Sequence, residues 1–582
     1  MSTQPGVAET HNALGLALKA RGHPSEAILH HQAALRLGAG RREYYASFAK
    51  CMDGIPVTKA SPALVEDLVA TFAVDGADHQ ALAFACTHIL KNTAAFQVLL
   101  DFVDGHSDVP DLDRLMTAGL DSLHKHPLLL ALLGKAVVRD AELERVLTAT
   151  RHALLRHAVR SRRPLDPAPD LVAFTSALAL QCFANEYVYF LSPEESAMLP
   201  GLAGSDVFTP DLDRDQRLAV LACYVPLGRL DVGQNLAELA RRDEDSLLAV
   251  LITRQVLDFH EERRLRSTIP VVGEIEDRTS RRVREQYEEN PYPRWLSCPQ
   301  SEKSSLRGVV EKALPDLSPD ELPEASGAEV LIAGCGTGRH ALARAAGLRR
   351  SRVIGADLSL SSLCYAKRKA AEMGVENLEL RHGDLMSLHL LERAFDLIEC
   401  IGVLHHMADP EEGWAALANL AKPGGLMRVG LYSKAARKGV VAAQSWVADR
   451  GYAASPEGIR RCRQDILAMP DDSPVGEMRR VVDFYSLSET RDLLFPVREV
   501  RFTLREIGRI IDRLGLRFLG LELHDSVRKR YLAEFPEDPW GTSLDNWHRF
   551  ERRHEHLSPG LYLLWVQRPA RKSHEEQTDG SR

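Results

Sequence analysis

Three glycines are the first residues of this chain whose type and spacing could do chemistry. Gly334, Gly336 and Gly338 directly follow the apolar run 330–333. That pattern predicts a buried strand that breaks into a glycine loop and then starts a helix. Without a Cβ, each glycine lets the backbone turn sharply and lets a ligand lie against it. Because nucleotide-binding folds of several kinds use such a loop, the glycines alone indicate only a class of ligands.

Two aspartates narrow that class. Asp357 ends a second apolar run, 353–356, and lies 19 residues after Gly338. In doubly wound sheets an acidic side chain holds the ribose hydroxyls at an offset of about 20 residues. Asp384 directly follows a third predicted strand, 378–383. The spacing therefore predicts a nucleoside-binding site.

A histidine pair, His405 and His406, follows the fourth predicted strand, and a fifth strand covers 426–432. The strands must position these residues, because strand and helix patterns alternate at βαβ spacing. That alternation predicts a parallel sheet with ligands at the carboxyl ends of its strands.

Together these motifs resemble a class I methyltransferase that depends on S-adenosylmethionine (SAM). The resemblance is carried by GCGTG at 334–338, Asp357, GD at 383–384, GVLHH at 402–406 and KPGG at 422–425. The third glycine lies one residue earlier than in the dinucleotide fingerprint G-x-G-x-x-G, which separates the chain from nicotinamide enzymes. The resemblance implies a Rossmann-like, seven-stranded α/β domain whose last strand is antiparallel.

The resemblance also implies roles for individual residues. The glycines would face the methionine part of SAM, Asp357 the ribose hydroxyls and Asp384 the adenine amino group, with Leu358 and Leu385 beside the base. The full cofactor-binding set is Gly334, Cys335, Gly336, Gly338, Asp357, Leu358, Asp384, Leu385 and Ile401. In one departure, Ile332 stands where the family usually has an acidic residue.

Methyl transfer from a sulfonium is an in-line displacement, so the protein mainly holds the nucleophile near the methyl carbon and excludes water. A general base is needed only if the nucleophile arrives protonated. His405 and His406 are the candidate catalytic residues, although such a pair could merely shape the pocket. Tyr432 and Tyr485 are candidate walls for the substrate. No H-x-x-x-H pair or carboxylate cluster indicates a metal, and we predict none.

The segment 287–295, YEENPYPRW, lies upstream of the glycine loop. Its two prolines stop the preceding amphipathic helix and fix an extended segment. Tyr287, Asn290 and Tyr292 could then cap the cofactor, or the segment could be a linker packed by its aromatic side chains. It resembles a segment in bacterial proteins that join a tetratricopeptide-like half to a methyltransferase.

The chain's organisation is predicted as follows. Residues 1–265 form an all-α, tetratricopeptide-like helical array, because Ala and Leu recur at helical spacing. Residues 266–325 are a junction or cap. Residues 326–568 are the methyltransferase domain, in which 434–496 is an insertion on the substrate side. Residues 569–582 are polar and are expected to be disordered.

Composition sets further bounds. The net charge of −8 gives no electrostatic reason to expect a nucleic acid partner. Nine scattered cysteines without a C-x-x-C pair favour a reducing compartment. There is no secretory signal pattern, and the apolar run 128–133 is far short of the ~20 residues of a membrane span. We expect a soluble, cytoplasmic bacterial protein without a membrane partner, and the oligomeric state stays open.

Three functions compete. In the first, the helical half recruits a protein or peptide acceptor that the SAM-dependent domain methylates. In the second, the acceptor is a small molecule, because GVLHH and KPGG also resemble enzymes of quinone and lipid biosynthesis. In the third, the chain is a scaffold that binds SAM without catalysis, for which Ile332 is the best support.

Overall fold

The computed structural model describes residues 5–38, 40–106, 110–160, 169–202, 214–230, 235–289, 291, 294–299, 303–317, 327–470 and 472–570. The chain divides into two compact units. The first, here the helical unit, comprises Met1–Glu261, Arg294–Gln300 and Trp446–Phe495. The second, here the sheet unit, comprises Glu262–Pro293, Ser301–Ser445 and Pro496–Arg582.

The α-helices, in chain order, account for most of the described residues. They are α1 Pro5–Ala20, α2 Pro24–Leu37, α3 Arg42–Met52, α4 Pro62–Phe72, α5 His79–Lys91, α6 Ala94–Asp104, α7 Leu112–Leu115, α8 Asp121–Leu123, α9 Pro127–Lys135, α10 Ala141–Arg160, α11 Pro169–Ala184, α12 Pro193–Leu202, α13 Arg214–Ala222, α14 Asn235–Arg242, α15 Leu247–Ile252, α16 Asp258–Leu265, α17 Arg278–Glu289, α18 Leu306–Ala313, α19 Arg339–Gly347, α20 Leu360–Glu372, α21 Pro410–Leu420, α22 Lys438–Asp449, α23 Pro456–Leu467, α24 Leu487–Leu494, α25 Leu504–Arg513, α26 Asp525–Glu534 and α27 Leu544–Arg553. Two π-helical segments, Met116–Leu120 and Thr253–Leu257, join consecutive α-helices.

The helical N-terminal region is confirmed, because no strand precedes Val271 in the described part of the chain. Its first two helices, α1 and α2, pack as a hairpin around a short turn in which Gly22 has φ +83°. Small residues permit that packing, since a Cβ at Gly15 would collide with the His31 ring. The tetratricopeptide-like character of the array stays a prediction.

The segment Trp446–Phe495 belongs to the helical unit, which differs from the predicted division at residues 265 and 434–496. The physical reason is a set of buried contacts between distant parts of the chain. Arg463 of α23 donates from its two terminal nitrogens to the two oxygens of Glu144 in α10, each at 2.9 Å. The backbone N–H of Ser488 donates to Glu186 at 2.6 Å. The segment is mostly helical, as predicted, but its partners are the N-terminal helices.

The sheet unit is built on one sheet of eight strands among the described residues. They are β1 Val271–Val272, β2 Ala328–Ala333, β3 Ser351–Asp357, β4 Leu378–Gly383, β5 Phe395–Ile401, β6 Ala421–Tyr432, β7 Arg517–Leu521 and β8 Leu561–Gln567. Their order across the sheet is β1-β4-β3-β2-β5-β6-β8-β7. The first six strands are parallel, and β8 runs antiparallel to both β6 and β7.

The predicted count of seven strands is therefore corrected to eight. The added strand, β1, has only two residues and pairs with the end of β4, Val272 opposite Gly383. This pairing requires glycine, because a Cβ at Gly383 would collide with the Val272 carbonyl oxygen. The KPGG motif at 422–425 is also part of a strand, since β6 begins at Ala421 and not at the predicted residue 426.

Helices cover both faces of this sheet, because the strands are apolar on both sides. One core contains Leu331, Ile354 and Ile398 with α21, α25 and α27. The other contains Val330, Ile332 and Leu397 with α18, α19 and α20. Both layers hold the carboxyl ends of the parallel strands at one edge of the sheet. The predicted tail lies almost wholly outside the described residues, which end at residue 570.

Candidate active site

A cavity lies in the sheet unit at the carboxyl ends of β2, β3, β4 and β5. The residues that line it are Thr279, Ser280, Val283, Tyr287, Gly334, Ala356, Asp357, Leu358, Gly383, Asp384, Leu385, Leu388, Gly402, Val403, His406 and Met407. It therefore lies where open α/β sheets bind their ligands.

The glycine loop forms one side of the cavity. Gly334, Gly336 and Gly338 have φ of +75°, +53° and +82°, the left-handed region that favours glycine. A Cβ at Gly334 would collide with Val403, and one at Gly338 would collide with Ala366 of α20. Gly338 is also the residue from which α19 starts. The sequence therefore needs glycine here both for the turn and for close packing.

Asp357 joins the loop to the next strand. One of its oxygens accepts from the Gly336 N–H at 2.7 Å, and the other accepts from the Ser359 N–H at 2.8 Å. Burial raises the pKa of Asp357, with Glu288 nearby, although the two hydrogen bonds oppose that rise. A carboxylate held by two backbone donors has a fixed orientation, and it keeps free lone pairs for hydroxyl donors of a ligand.

Asp384 is the second carboxylate of the cavity and is buried. Its Oδ1 accepts from the Met386 N–H at 3.0 Å, which starts the 3₁₀ segment Leu385–Leu391. The apolar side chains of Leu358 and Leu385 line the same cavity. Two carboxylates with apolar walls between them suit a flat polar ring system such as a nucleoside.

Helix α17 covers the cavity with Thr279, Ser280, Val283 and Tyr287. It is attached to the start of α20: the Ser361 hydroxyl and N–H donate to Glu288 at 2.7 and 3.1 Å. Burial would raise the pKa of Glu288, but those hydrogen bonds and Arg266 hold it below its ordinary value. The charge of Glu288 therefore helps to keep the helix over the cavity.

The two histidines differ in position. His406 lines the cavity, and its Nδ1 lies 2.8 Å from the Arg498 carbonyl oxygen. His405 is fully buried and stacks on Tyr432, with ring centroids 3.7 Å apart. Burial, with His406 and Arg437 nearby, lowers the pKa of His405 well below its ordinary value. Of the pair, only His406 is placed to meet a molecule in the cavity.

Several predicted residues do not line the cavity. Gly336 and Gly338 act through the loop's backbone, and the side chain of Cys335 is buried and packs towards Gly355. Burial raises the pKa of the Cys335 thiol well above its ordinary value. Ile401 packs against Gly430 in the neighbouring strand.

Tyr432 and Tyr485, the predicted walls for the substrate, are not among the residues that line the cavity. Tyr432 lies between His405 and the Arg437 guanidinium, which is 3.7 Å from the ring centroid. Tyr485 belongs to the helical unit, where its hydroxyl donates to the Arg479 carbonyl at 2.6 Å. Of the predicted cap, Tyr287 lines the cavity, while Asn290 and Tyr292 lie outside the described residues.

Thr279, Ser280 and Val283 of α17 line the cavity but were not among the predicted site residues. Their signal was present, since they precede Tyr287 on the predicted amphipathic helix by one or two turns, and residues three or four apart share a helix face. Gly402 and Val403 were part of the GVLHH motif, but no role had been assigned to them.

Two observations concern other kinds of site. No group of three or more His, Cys, Asp or Glu side chains is placed to hold a metal ion in the described ranges. Within those same ranges, every helix is too short or too polar to span a bilayer.

Comparison with known proteins agrees with this geometry. Residues 330–425 match the family model described as a methyltransferase domain. That segment contains the glycine loop, Asp357, Asp384 and the histidine pair, so the cavity-lining motifs lie in the matched region.

The relatives match only parts of the chain. An uncharacterized protein of Synechococcus sp. is 28% identical over 253 residues, 41% of this chain and 59% of that protein. A ubiquinone biosynthesis O-methyltransferase of Paracidovorax citrulli is 36% identical over 107 residues, 18% of this chain and 44% of that protein. Among solved structures, PKMT2 from Rickettsia typhi in complex with AdoHcy has a TM-score of 0.36 at 14% identity, over 46% of this chain and 53% of that chain. The chain thus spans about half the length of the curated relatives that it matches.

Proposed function

We propose that this chain, whose residues 330–425 form a class I SAM-dependent methyltransferase domain, transfers a methyl group from SAM to a protein or peptide acceptor. The observation that carries the methyltransferase part is the convergence of Gly334, Asp357 and Asp384 on one cavity at the strand ends. Residues of these types, in this order, fit the amino acid, ribose and adenine parts of SAM.

SAM supplies an electrophilic methyl carbon, so the chain's own residues have to bind, orient and exclude water. Asp357 is held by two backbone donors and would accept from the ribose hydroxyls. Helix α17 would restrict the access of water above the cofactor. His406 is the group placed either to take a proton from the methyl acceptor or to hold that molecule near the methyl carbon.

The size of the helical unit is the basis for proposing a protein or peptide as the methyl acceptor. This unit contains more than 260 residues outside the cofactor-binding domain, far more than a small-molecule pocket requires. Helical arrays usually present extended concave surfaces to peptides. One cleft of the unit is lined by Phe84, His88 and Val482, and the exposed fractions of Phe84 and Val482 are 46% and 52%. Apolar side chains exposed along a cleft support a docking role for it.

The second candidate is a small-molecule acceptor, such as a quinone or lipid-like metabolite. It is favoured by the match to ubiquinone biosynthesis O-methyltransferases over the cofactor-binding motifs. Those motifs bind the cofactor in enzymes with many kinds of acceptor, so the match bears on SAM more than on the acceptor.

The test uses the full-length protein with methyl-labelled SAM and a dialysed bacterial extract. We expect label in a protease-sensitive macromolecular fraction. The double variant Phe84→Asp/Val482→Asp should reduce that label about tenfold, the scale for removing docking anchors worth about 1.4 kcal/mol or more. Its affinity for SAM should be unchanged.

The matched control is Leu29→Asp, since Leu29 is 66% exposed on α2 and does not line that cleft. It should label like the wild type. Label found only in organic-extractable small molecules would replace the protein acceptor with the second candidate. Tight SAM binding with no label transferred to any fraction would favour a non-catalytic scaffold.

A further inference from the structure

We propose that Glu399 is a positioning residue of the cofactor site: its buried carboxylate holds α19, and through α19 the glycine loop. This role rests on the proposed function, because it concerns the same SAM site. No cofactor role was assigned to Glu399 from the sequence, where it appears only within an apolar strand.

Glu399 lies in β5, directly beside the strand that leads into the glycine loop. It is paired in register with Ile332 across β2 and β5. Paired residues of neighbouring strands point to the same face, so both side chains lie on the face that α19 covers. A buried carboxylate is thus present on the face of the sheet that α19 covers, one strand, or about 4.8 Å, from the strand that leads into the glycine loop.

The Glu399 carboxylate contacts two side chains of α19. Arg344 of α19 donates to both of its oxygens, at 2.7 and 2.9 Å. His340, one turn earlier in α19, lies 2.9 Å from Oε2. The carboxylate is fully buried, and although burial opposes ionisation, His340 and Arg344 hold its pKa well below the ordinary value. A bidentate pair of this kind fixes direction as well as distance.

Helix α19 leads directly out of the glycine loop. It starts at Gly338, and its first residue, Arg339, is next to His340. The Gly336 N–H is already committed to Asp357 at 2.7 Å. By holding α19, Glu399 therefore fixes the end of the loop that continues into the helix, while Asp357 fixes its middle. Without Glu399, the glycines of the loop would have a wider choice of backbone conformations.

The network continues away from the site through Arg428 of β6. Arg428 Nη1 is 3.4 Å from Glu399, while its Nε and Nη2 donate to Glu522 at 2.6 and 2.8 Å. The Trp565 indole N–H also donates to Glu522. In the described part of the chain the Glu522 carboxylate bonds to Arg428 and Trp565 rather than to α19, so it is a matched acid in the same network on the side remote from the loop.

The experiment compares Glu399→Gln with Glu522→Gln in the full chain. SAM affinity is measured by calorimetric titration and thermal stability by scanning calorimetry. Glu399→Gln should weaken SAM binding by about tenfold or more, because a loop that holds its binding conformation only about a tenth of the time binds about tenfold more weakly. Glu522→Gln should leave SAM affinity nearly unchanged even if the two variants lose similar thermal stability.

A rescue experiment tests whether a second carboxylate restores SAM affinity, a result that a purely structural role of Glu399 would not give. Glu399→Ile should bind SAM weakly, and adding Ile332→Glu should recover part of that affinity by restoring a carboxylate on the neighbouring strand. If Glu399→Gln does not fold, His340→Ala replaces it, since this side chain is 37% exposed and the Arg344 pair survives its removal. His340→Ala should also weaken SAM binding.

Three results would overturn the role of Glu399. They are wild-type SAM affinity in Glu399→Gln, equal losses in Glu399→Gln and Glu522→Gln, or, where Glu399→Gln is unfolded, unchanged affinity in His340→Ala. Failure of the wild-type chain to bind SAM is a different result, because it would overturn the proposed function itself.

Discussion

At the scale of single residues, Asp357 is the side chain on which we propose that recognition of SAM most depends. Its two oxygens each accept one backbone N–H, and the cavity lies on their open side. Asp357→Ala should weaken SAM binding by about 1–3 kcal/mol, the cost of removing a charged hydrogen-bond partner. Calorimetric titration measures it. Glu379→Ala removes a carboxylate of β4 that does not line the cavity, and should bind like the wild type.

The histidine pair offers a second prediction at this scale. His406→Ala should lower turnover by about 100-fold if the ring accepts a proton from the acceptor, with SAM affinity nearly intact. His405→Ala should mainly lower thermal stability, because it removes a buried ring that stacks on Tyr432. Steady-state kinetics and scanning calorimetry separate the two effects. A loss of less than tenfold in His406→Ala would reduce its role to shaping the pocket.

At the scale of elements, the glycine loop connects the sequence pattern to the site. Gly336 has φ +53°, which a β-branched residue rarely adopts. Gly336→Val should therefore abolish SAM binding, and the helical unit should stay folded. Gly347→Ala is the matched control, because a Cβ there meets nothing within 4 Å at the other end of α19. Titration with SAM and circular dichroism test both variants, and wild-type affinity in Gly336→Val would remove the loop from the site.

The sequence predicted the central elements well, for a physical reason. Parallel strands buried on both faces are continuous apolar runs, and β2 and β3 have such runs, followed by Gly334 and Asp357. Strand β1 could not be predicted, because two residues have no recognisable period. Its pairing depends on Gly383, whose role appears only once Val272 lies beside it.

At the scale of the whole molecule, the compact units and the predicted boundaries differ where contacts join distant residues. Residues 434–496 have a helical pattern and were assigned to the sheet domain by their place in the chain. The structure packs 446–495 with the N-terminal helices through Arg463 and Glu144, which are 319 residues apart. No local pattern marks such a pair, since an arginine on a helix is usually a solvated side chain.

The buried pair of Arg463 and Glu144 should contribute strongly to the stability of the helical unit. The side chains of Arg463 and Glu144 are 1% and 4% exposed, so removing one partner leaves a buried charge unpaired. Glu144→Ala should lower the unfolding free energy of the helical unit by about 3–5 kcal/mol, whereas Glu144→Leu/Arg463→Met should recover most of it. Chemical denaturation followed by circular dichroism measures both.

A chain that begins at residue 266 should behave like an extreme form of Glu144→Ala. It keeps 446–495 but loses every N-terminal helix on which that segment packs, including Glu144 of α10. Limited proteolysis should therefore cut the shortened chain within 446–495 and leave the same segment intact in the full chain. Equal protection in both chains would mean that the segment folds without the helices, and the division into units would then have to follow the predicted boundary.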